Sequence, residues 1–177
     1  LVNMAQPVTY VGSYTYSGTL TSEDYDDLSD TAMVITHIDS AILPDGTTML
    51  VFRINKSTSS YLYSIKYTSS TDTFSDFTLI GDISDVEVDA YYIALLEMGD
   101  GNFVVWYGLT YAIYNVSNDE WTQPTEIAVT STYPAQILSV IQELDGSYTF
   151  LGMTYLGAGN GYEIKYFNVN SKFTLNG

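Results

Sequence analysis

The sequence predicts an all-β protein built from repeated four-stranded antiparallel sheets, on three observations. Aromatic residues are abundant, with 17 Tyr, 7 Phe and 2 Trp among 177 residues, and these side chains suit a pleated, half-buried surface. Asp-Gly punctuates the apolar runs at Asp45-Gly46, Asp100-Gly101 and Asp145-Gly146. Between such runs it is a strong hairpin signal, because a tight primed turn needs positive φ at its centre. The stretches around these turns can be laid over one another, and an internal repeat outranks any local pattern.

Taken in order, residues 1–30 form an N-terminal arm and an acidic loop. Val8, Tyr10, Tyr14 and Tyr16 alternate with small or polar residues around Gly12, which predicts one or two strands within 1–20. The run EDYDDLSD follows at 23–30, and a carboxylate run of this kind is usually a solvated loop. Asp24, Asp26, Asp27 and Asp30 are the acids there that would hold a cation. Calcium is the ion their oxygens suit. The run lacks the spaced acids and glycine of an EF-hand loop, so no metal or other cofactor is expected.

The repeat occupies residues 31–88, 89–132 and 133–177. The first unit reads HIDSAILPDGTTMLVFRI and then YLYSIKYTSSTDTFSDFTLI; the second reads IALLEMGDGNFVVWYG and then YAIYNVSNDEWTQPTEI. The third, ILSVIQELDGSYTFLGMTY and then YEIKYFNVNSKFTL, stops where its outer strand should run. Asp-Gly recurs after 55 and then 45 residues, close to the roughly 40–50 of a four-stranded propeller blade. The polar insertion at 55–60 accounts for the longer first unit. Residues 90–98 and 134–144 also admit a helical reading. In the second of these, Ile137, Leu138, Ile141 and Leu144 fall at helical spacing with Pro134 near the start. The repeat decides for strands, since residues 40–43 occupy the same place and are cut short by Pro44. All three are expected to be buried inner strands.

Each unit also carries a polar turn followed by an aromatic residue. Ser70-Thr-Asp72-Thr-Phe74-Ser75 matches Ser117-Asn-Asp119-Glu-Trp121-Thr122, and the segment from Asn168 to Thr174 is a looser copy. An Asp or Asn side chain is expected to fold back onto the turn backbone while the aromatic fills the gap beside it. These turns resemble a shortened form of the Asp-box, S-x-D-x-G-x-T-W, of sialidase-type β-propellers. Both lack its glycine, and their aromatic comes earlier. The resemblance implies propeller-like blades of the kind found in phage and viral receptor-binding or tail-fibre proteins. Three blades fall short of the roughly four to eight of known rings. The chain also opens at Leu1 rather than Met. A piece of a longer polypeptide is therefore expected, with a homo-oligomer that completes the ring as the second choice and a β-sandwich as the alternative fold.

Charge narrows the function. Five basic residues against 21 acidic ones give a net charge of −16, which repels nucleic-acid phosphates and anionic membrane surfaces. No run of about 18 apolar residues predicts a membrane-inserted helix. The absence of cysteine excludes disulfides and thiolate metal sites. Sialidase chemistry needs several arginines to hold a carboxylate, and Arg53 is the only one. His37 is the only histidine, and a lone His on a strand is more often structural than part of a Ser-His-Asp set. Carboxylate pairs such as Asp85 with Glu87 and Asp119 with Glu120 would suit glycoside hydrolysis, but among 21 acids such pairs arise by chance.

The expectation is thus a non-catalytic surface module, viral or extracellular, that binds a host glycan or receptor. The candidate ligand-binding residues are Trp106, Tyr107, Tyr111, Asp119, Trp121 and Tyr155, aromatic faces for sugar rings with a carboxylate for hydroxyls. The alternatives are a structural building block of a virion, fibre or cell-surface layer, whose partners are other protein chains, and a glycoside hydrolase fragment. Asn55-Lys-Ser and Asn115-Val-Ser are N-glycosylation sequons, relevant in a eukaryotic secretory setting.

Overall fold

The computed structural model describes residues 34–56, 59–84, 89–90, 93–127, 136–156 and 161–173. Among them there are three sheets and no helix. Sheet 1 runs β1 (Val34–Ile42), β2 (Thr48–Lys56) and β3 (Ser59–Thr68), with short β4 (Thr73–Phe74) and β5 (Thr78–Asp82) both on the far edge of β3. Then comes β6 (Asp89–Ala90), a two-residue strand. Sheet 2 repeats the plan of sheet 1 with β7 (Ile93–Glu97), β8 (Phe103–Tyr107), β9 (Thr110–Asn115), β10 (Glu120–Trp121) and β11 (Thr125–Glu126). Sheet 3 holds β12 (Gln136–Gln142), β13 (Tyr148–Tyr155) and β14 (Tyr162–Val169), antiparallel, with β6 laid parallel to β12. The two stretches open to a helical reading are therefore β7 and β12, strands as the repeat required.

The three Asp-Gly hairpins are built alike, though not on a two-residue primed turn. In the first, Gly46 N–H donates to Leu43 C=O at 2.9 Å and Leu43 N–H to Thr47 C=O at 2.8 Å. The same pair of bonds recurs at Met98–Asn102 and Glu143–Ser147. That is a type I turn closed by a glycine bulge, which needs positive φ at one residue only. Gly46, Gly101 and Gly146 supply it at +84°, +83° and +81°. Each Asp side chain then accepts the N–H two residues on, from Thr47, Asn102 and Ser147 at 2.9–3.0 Å. This carboxylate bond is what selects Asp before the glycine.

The sheets stack in chain order. β8 is apolar throughout and all five of its residues are buried, because sheet 2 is covered on both faces. Phe103, Val105 and Tyr107 turn toward sheet 1, where they meet Met49, Val51 and Leu62. Val104 and Trp106 turn toward sheet 3 and join Ile137, Tyr148 and Phe150. Sheets 1 and 2 approach closely at Gly81, where an added Cβ would run into the Pro124 ring. Strand β7 lies beside both β1 and β12, and β12 carries the two-residue β6 on its side away from β13. Asp39 on β1 accepts the Leu95 N–H of β7 at 2.8 Å.

The expectation of buried inner strands holds for β7 and needs correction at the ends of the stack. On β1, Ile35, Ile38 and Ile42 are exposed, and so is Ile141 on β12. These residues point away from sheet 2, and only a sheet with a neighbour on each side hides both faces. Among the described residues the three sheets form no closed ring.

Candidate functional site

The polar turns at Asp72 and Asp119 position side chains of a cleft between sheets 1 and 2. Both aspartates take positive φ, +53° and +59°, which Asp tolerates better than most residues. Each turn lets a two-residue strand fold back on the preceding one: β4 pairs with β3, and β10 with β9. The Asp carboxylate does not meet the turn backbone as expected. It accepts the phenol O–H of the tyrosine five residues earlier, Tyr67 to Asp72 at 2.9 Å and Tyr114 to Asp119 at 2.5 Å. Turn backbone is instead bonded by Asn115, whose side chain accepts the Ser117 N–H at 3.0 Å. In the third unit the positive φ falls on Phe173, at +60°.

In the second unit the Tyr–Asp pair faces sheet 1. Lys66 of β3 donates to the Asp119 carboxylate, and its ammonium lies 5.3 Å over the Tyr114 ring. Trp121, beside them, donates its indole N–H to Ser64 at 3.0 Å and rests on Tyr114 with ring centroids 5.2 Å apart. These groups border a cleft of about 220 Å³ whose other wall holds Ser75 and Asp76. Hydrogen bonds from Lys66 and then Tyr114 hold the Asp119 carboxyl below its ordinary range. Burial alone would lower the Lys66 ammonium, but its bonds to Asp119 and Tyr114 outweigh that and raise it. Burial and then the Asp119 bond raise the Tyr114 phenol. At neutral pH the site is a tight ion pair braced by a phenol. In a glycosidase pair one carboxyl keeps a proton and the other is ionised; the shift of Asp119 is against the first role and not against the second.

Of the six candidate residues, the structure brings Asp119 and Trp121 together at the cleft and puts Trp106 against Tyr111 away from it. Trp106 is 1 % exposed, packed in the seam between sheets 2 and 3 against Tyr148 and Phe150. Tyr107 is 2 % exposed, in the other seam, under the Arg53 guanidinium that donates to its hydroxyl and lies 4.6 Å over its ring. Neither ring offers a face to a ligand. Both sit on the central strand of the middle sheet, so alternation sends each into a seam. Tyr111 is half-buried and stacks on Phe173, ring centroids 4.2 Å apart. The Tyr155 side chain lies outside the described residues, as do Asp24, Asp26, Asp27 and Asp30 and the Asp85–Glu87 pair. His37 packs edge-on to Tyr107, centroids 6.2 Å apart.

Sequence reasoning missed Lys66, Ser64 and Tyr114. The spacing of Tyr67 to Asp72 and Tyr114 to Asp119 was a usable signal for the last. Lys66 and Ser64 come from another unit, and nothing local marks them. A second, more open cleft of about 610 Å³ lies between the Asp-Gly turns of sheets 2 and 3, edged by Glu97, Glu143 and Asp145. Among the described residues no three His, Cys, Asp or Glu side chains gather as a metal site. No helix among them is long and apolar enough to cross a membrane. Compared with known proteins, the chain matches no family model and no curated protein.

Proposed function

We propose that this chain is a non-catalytic surface module, on a virion or in the extracellular space, that binds a neutral host glycan in the cleft beside Trp121. Its three sheets are read as blades of a propeller-like scaffold. The placing of β7 beside both β1 and β12 and the face-to-face stacking of sheets support that. The observation that carries the glycan proposal is the cleft itself. A partly buried indole borders the cleft beside a carboxylate, an ammonium and the hydroxyl of Ser75. Sugars are recognised by that combination, the ring's apolar face on the aromatic and its hydroxyls on charged acceptors and donors. At about 220 Å³ the cleft is smaller than the ~300–1,000 Å³ of drug-sized pockets, so it takes a single sugar residue at a chain end. The net charge of −16 disfavours sialylated or sulfated ligands, since like charges repel on approach.

A glycan array probed with the 177-residue chain tests this. Binding to neutral glycans is expected, weakened at least about tenfold by Trp121→Ala, as loss of a central aromatic anchor implies. Asp119→Asn should weaken it less. Absence of glycan binding, or binding indifferent to Trp121→Ala, would overturn the proposal. The structural-block alternative draws on a different observation, the exposed Ile141, Leu151, Ile164 and Tyr166 on the outer face of sheet 3.

A further inference from the structure

Tyr148 carries a hydroxyl that no other described residue bonds. The side chain is 1 % exposed, and a phenol so buried ordinarily finds a hydrogen-bond partner, because leaving it without one costs free energy. Among the described residues only burial and the charge of Asp100 act on this hydroxyl. Packing does not call for it either. Two residues after the glycine of its hairpin, sheet 2 has Phe103 where sheet 3 has Tyr148, and each ring turns toward the preceding sheet. A plain phenyl ring serves the same packing there.

The hydroxyl belongs to the wall of a cleft. Tyr148, Asp100 and Ser171 line a pocket of about 280 Å³ between the Asp-Gly turns of sheets 2 and 3. It shares Met98, Gly99, Gln142 and Asp145 with the open cleft of about 610 Å³, so the two form one trough. Four carboxylates border it, Glu97, Asp100, Glu143 and Asp145. Local bonds orient three of them: Asn102 donates to Asp100, Thr149 to Glu143 and Ser147 to Asp145. No Lys or Arg is among the described residues that line the trough. The chain's own cations are placed elsewhere. Arg53, Lys66 and Lys165 are engaged at Tyr107, Asp119 and Glu163. Lys56 ends β2, at the end away from the turns, and Lys172 does not line the trough. These are all five basic residues, so no segment outside the described residues brings another Lys or Arg.

The molecule holds its own cations with the same parts. Arg53 donates to the Tyr107 hydroxyl, and Lys66 donates to Asp119 beside the Tyr114 phenol. A metal is the poorer fit, since no three acids among the described residues gather as a metal site. Leu96 and Met98 line the trough, and Leu144 is wholly exposed at its rim. Such surface suits the aliphatic stem of a long basic side chain. We infer that the trough between the Asp-Gly turns of sheets 2 and 3 receives an arginine or lysine side chain from a basic segment of a partner protein, its cationic head on the carboxylates and on the Tyr148 hydroxyl. The net charge of −16 draws such a partner in. This inference rests on the seam of sheets 2 and 3 and not on the Trp121 cleft, so the two proposals stand or fall separately.

NMR titration of the full chain at low salt, with a pentapeptide carrying one arginine between leucines, is the test. Binding is expected, and it should weaken at least about tenfold when neutral citrulline replaces the arginine, as loss of a charge-assisted contact implies. Tyr148→Phe should weaken binding about 2- to 10-fold, the range of one hydrogen bond. Its melting temperature at neutral pH should be no lower than the parent's, because the hydroxyl it removes is unbonded in the free protein. Gly99→Phe sets a ring in space that is open in the parent and should weaken binding at least about tenfold. Asp100→Asn, which keeps an oxygen for the Asn102 N–H, should also weaken it and is the substitute should Gly99→Phe fail to fold. No binding of the arginine peptide, equal binding of the citrulline peptide, or binding indifferent to Tyr148→Phe and Gly99→Phe would overturn the inference. Spermidine bound as tightly as the peptide would overturn it in favour of a free amine.

Discussion

At Asp119 a single carboxylate ties the second unit to the first. Its acidity is shifted down by Lys66 and Tyr114, and the sign of the linkage follows. A carboxyl with a depressed folded pKa contributes stability above its unfolded value, here near 3.8, and loses it as pH falls through the folded value. Asp119→Asn should therefore be less stable than the parent at pH 7, and the gap should shrink at acid pH. The side chain is 68 % exposed, so the gap is that of a solvent-screened pair, about 0.2–1 kcal/mol. Melting curves of both proteins at neutral and acid pH check this; a deficit that ignores pH would refute it. Tyr148 works the other way. Burial first, and Asp100 second, push its phenol up to about 12. A group with a raised folded pKa contributes stability that is present below its unfolded value, near 10, and lost as pH rises through the folded one. Tyr148→Phe should consequently lose less stability than the parent over that alkaline window, measured by urea unfolding at each pH.

At the scale of the element, the hairpins were legible in the sequence because each turns on one backbone requirement. Gly101 has φ +83° and open space within 4 Å of where a Cβ would stand, so a substitution there is opposed by conformation alone. Gly101→Val should cost on the order of 1–2 kcal/mol, read from urea midpoints at an unchanged slope. An unaltered midpoint would mean that the turn is not held in this form. The turn type itself escaped the sequence. Asp-Gly suits both a two-residue primed turn and a type I turn with a glycine bulge, and the strand registers around it decide between them. The inner strands show the reverse case. Their local pattern admitted helix, and only comparison with the first unit, where Pro44 cuts the run, favoured strand.

For the molecule as a whole, stability is concentrated in the two seams of sheet 2. Trp106 has Tyr111, Tyr148, Phe150 and Phe173 around it at centroid distances of 4.9 to 5.7 Å. Trp106→Ala should lower the unfolding free energy by about 3–5 kcal/mol, the range for an aromatic removed from a close-packed core. Chemical denaturation would show a much smaller loss if the ring were a surface feature. A far-UV spectrum without the helical double minimum is expected of the full chain. A helix-dominated spectrum would contradict the stack.

The sequence by itself determined the all-β class and the places of the three Asp-Gly turns. Those properties are local: residue type sets strand preference and turn φ within a few positions. Which aromatics face solvent was a different matter. Trp106, Tyr107 and Trp121 look alike in a string of letters, and their fates differ because one strand faces two neighbouring sheets while a short outer strand lies at the rim. The ion pair that closes the candidate cleft joins residues 53 positions apart, and the tryptophan's partner Ser64 lies 57 away. Such pairings exist only once the sheets are stacked. Burial and long-range charge contacts belong to the arrangement of sheets, and the tertiary structure alone decided them.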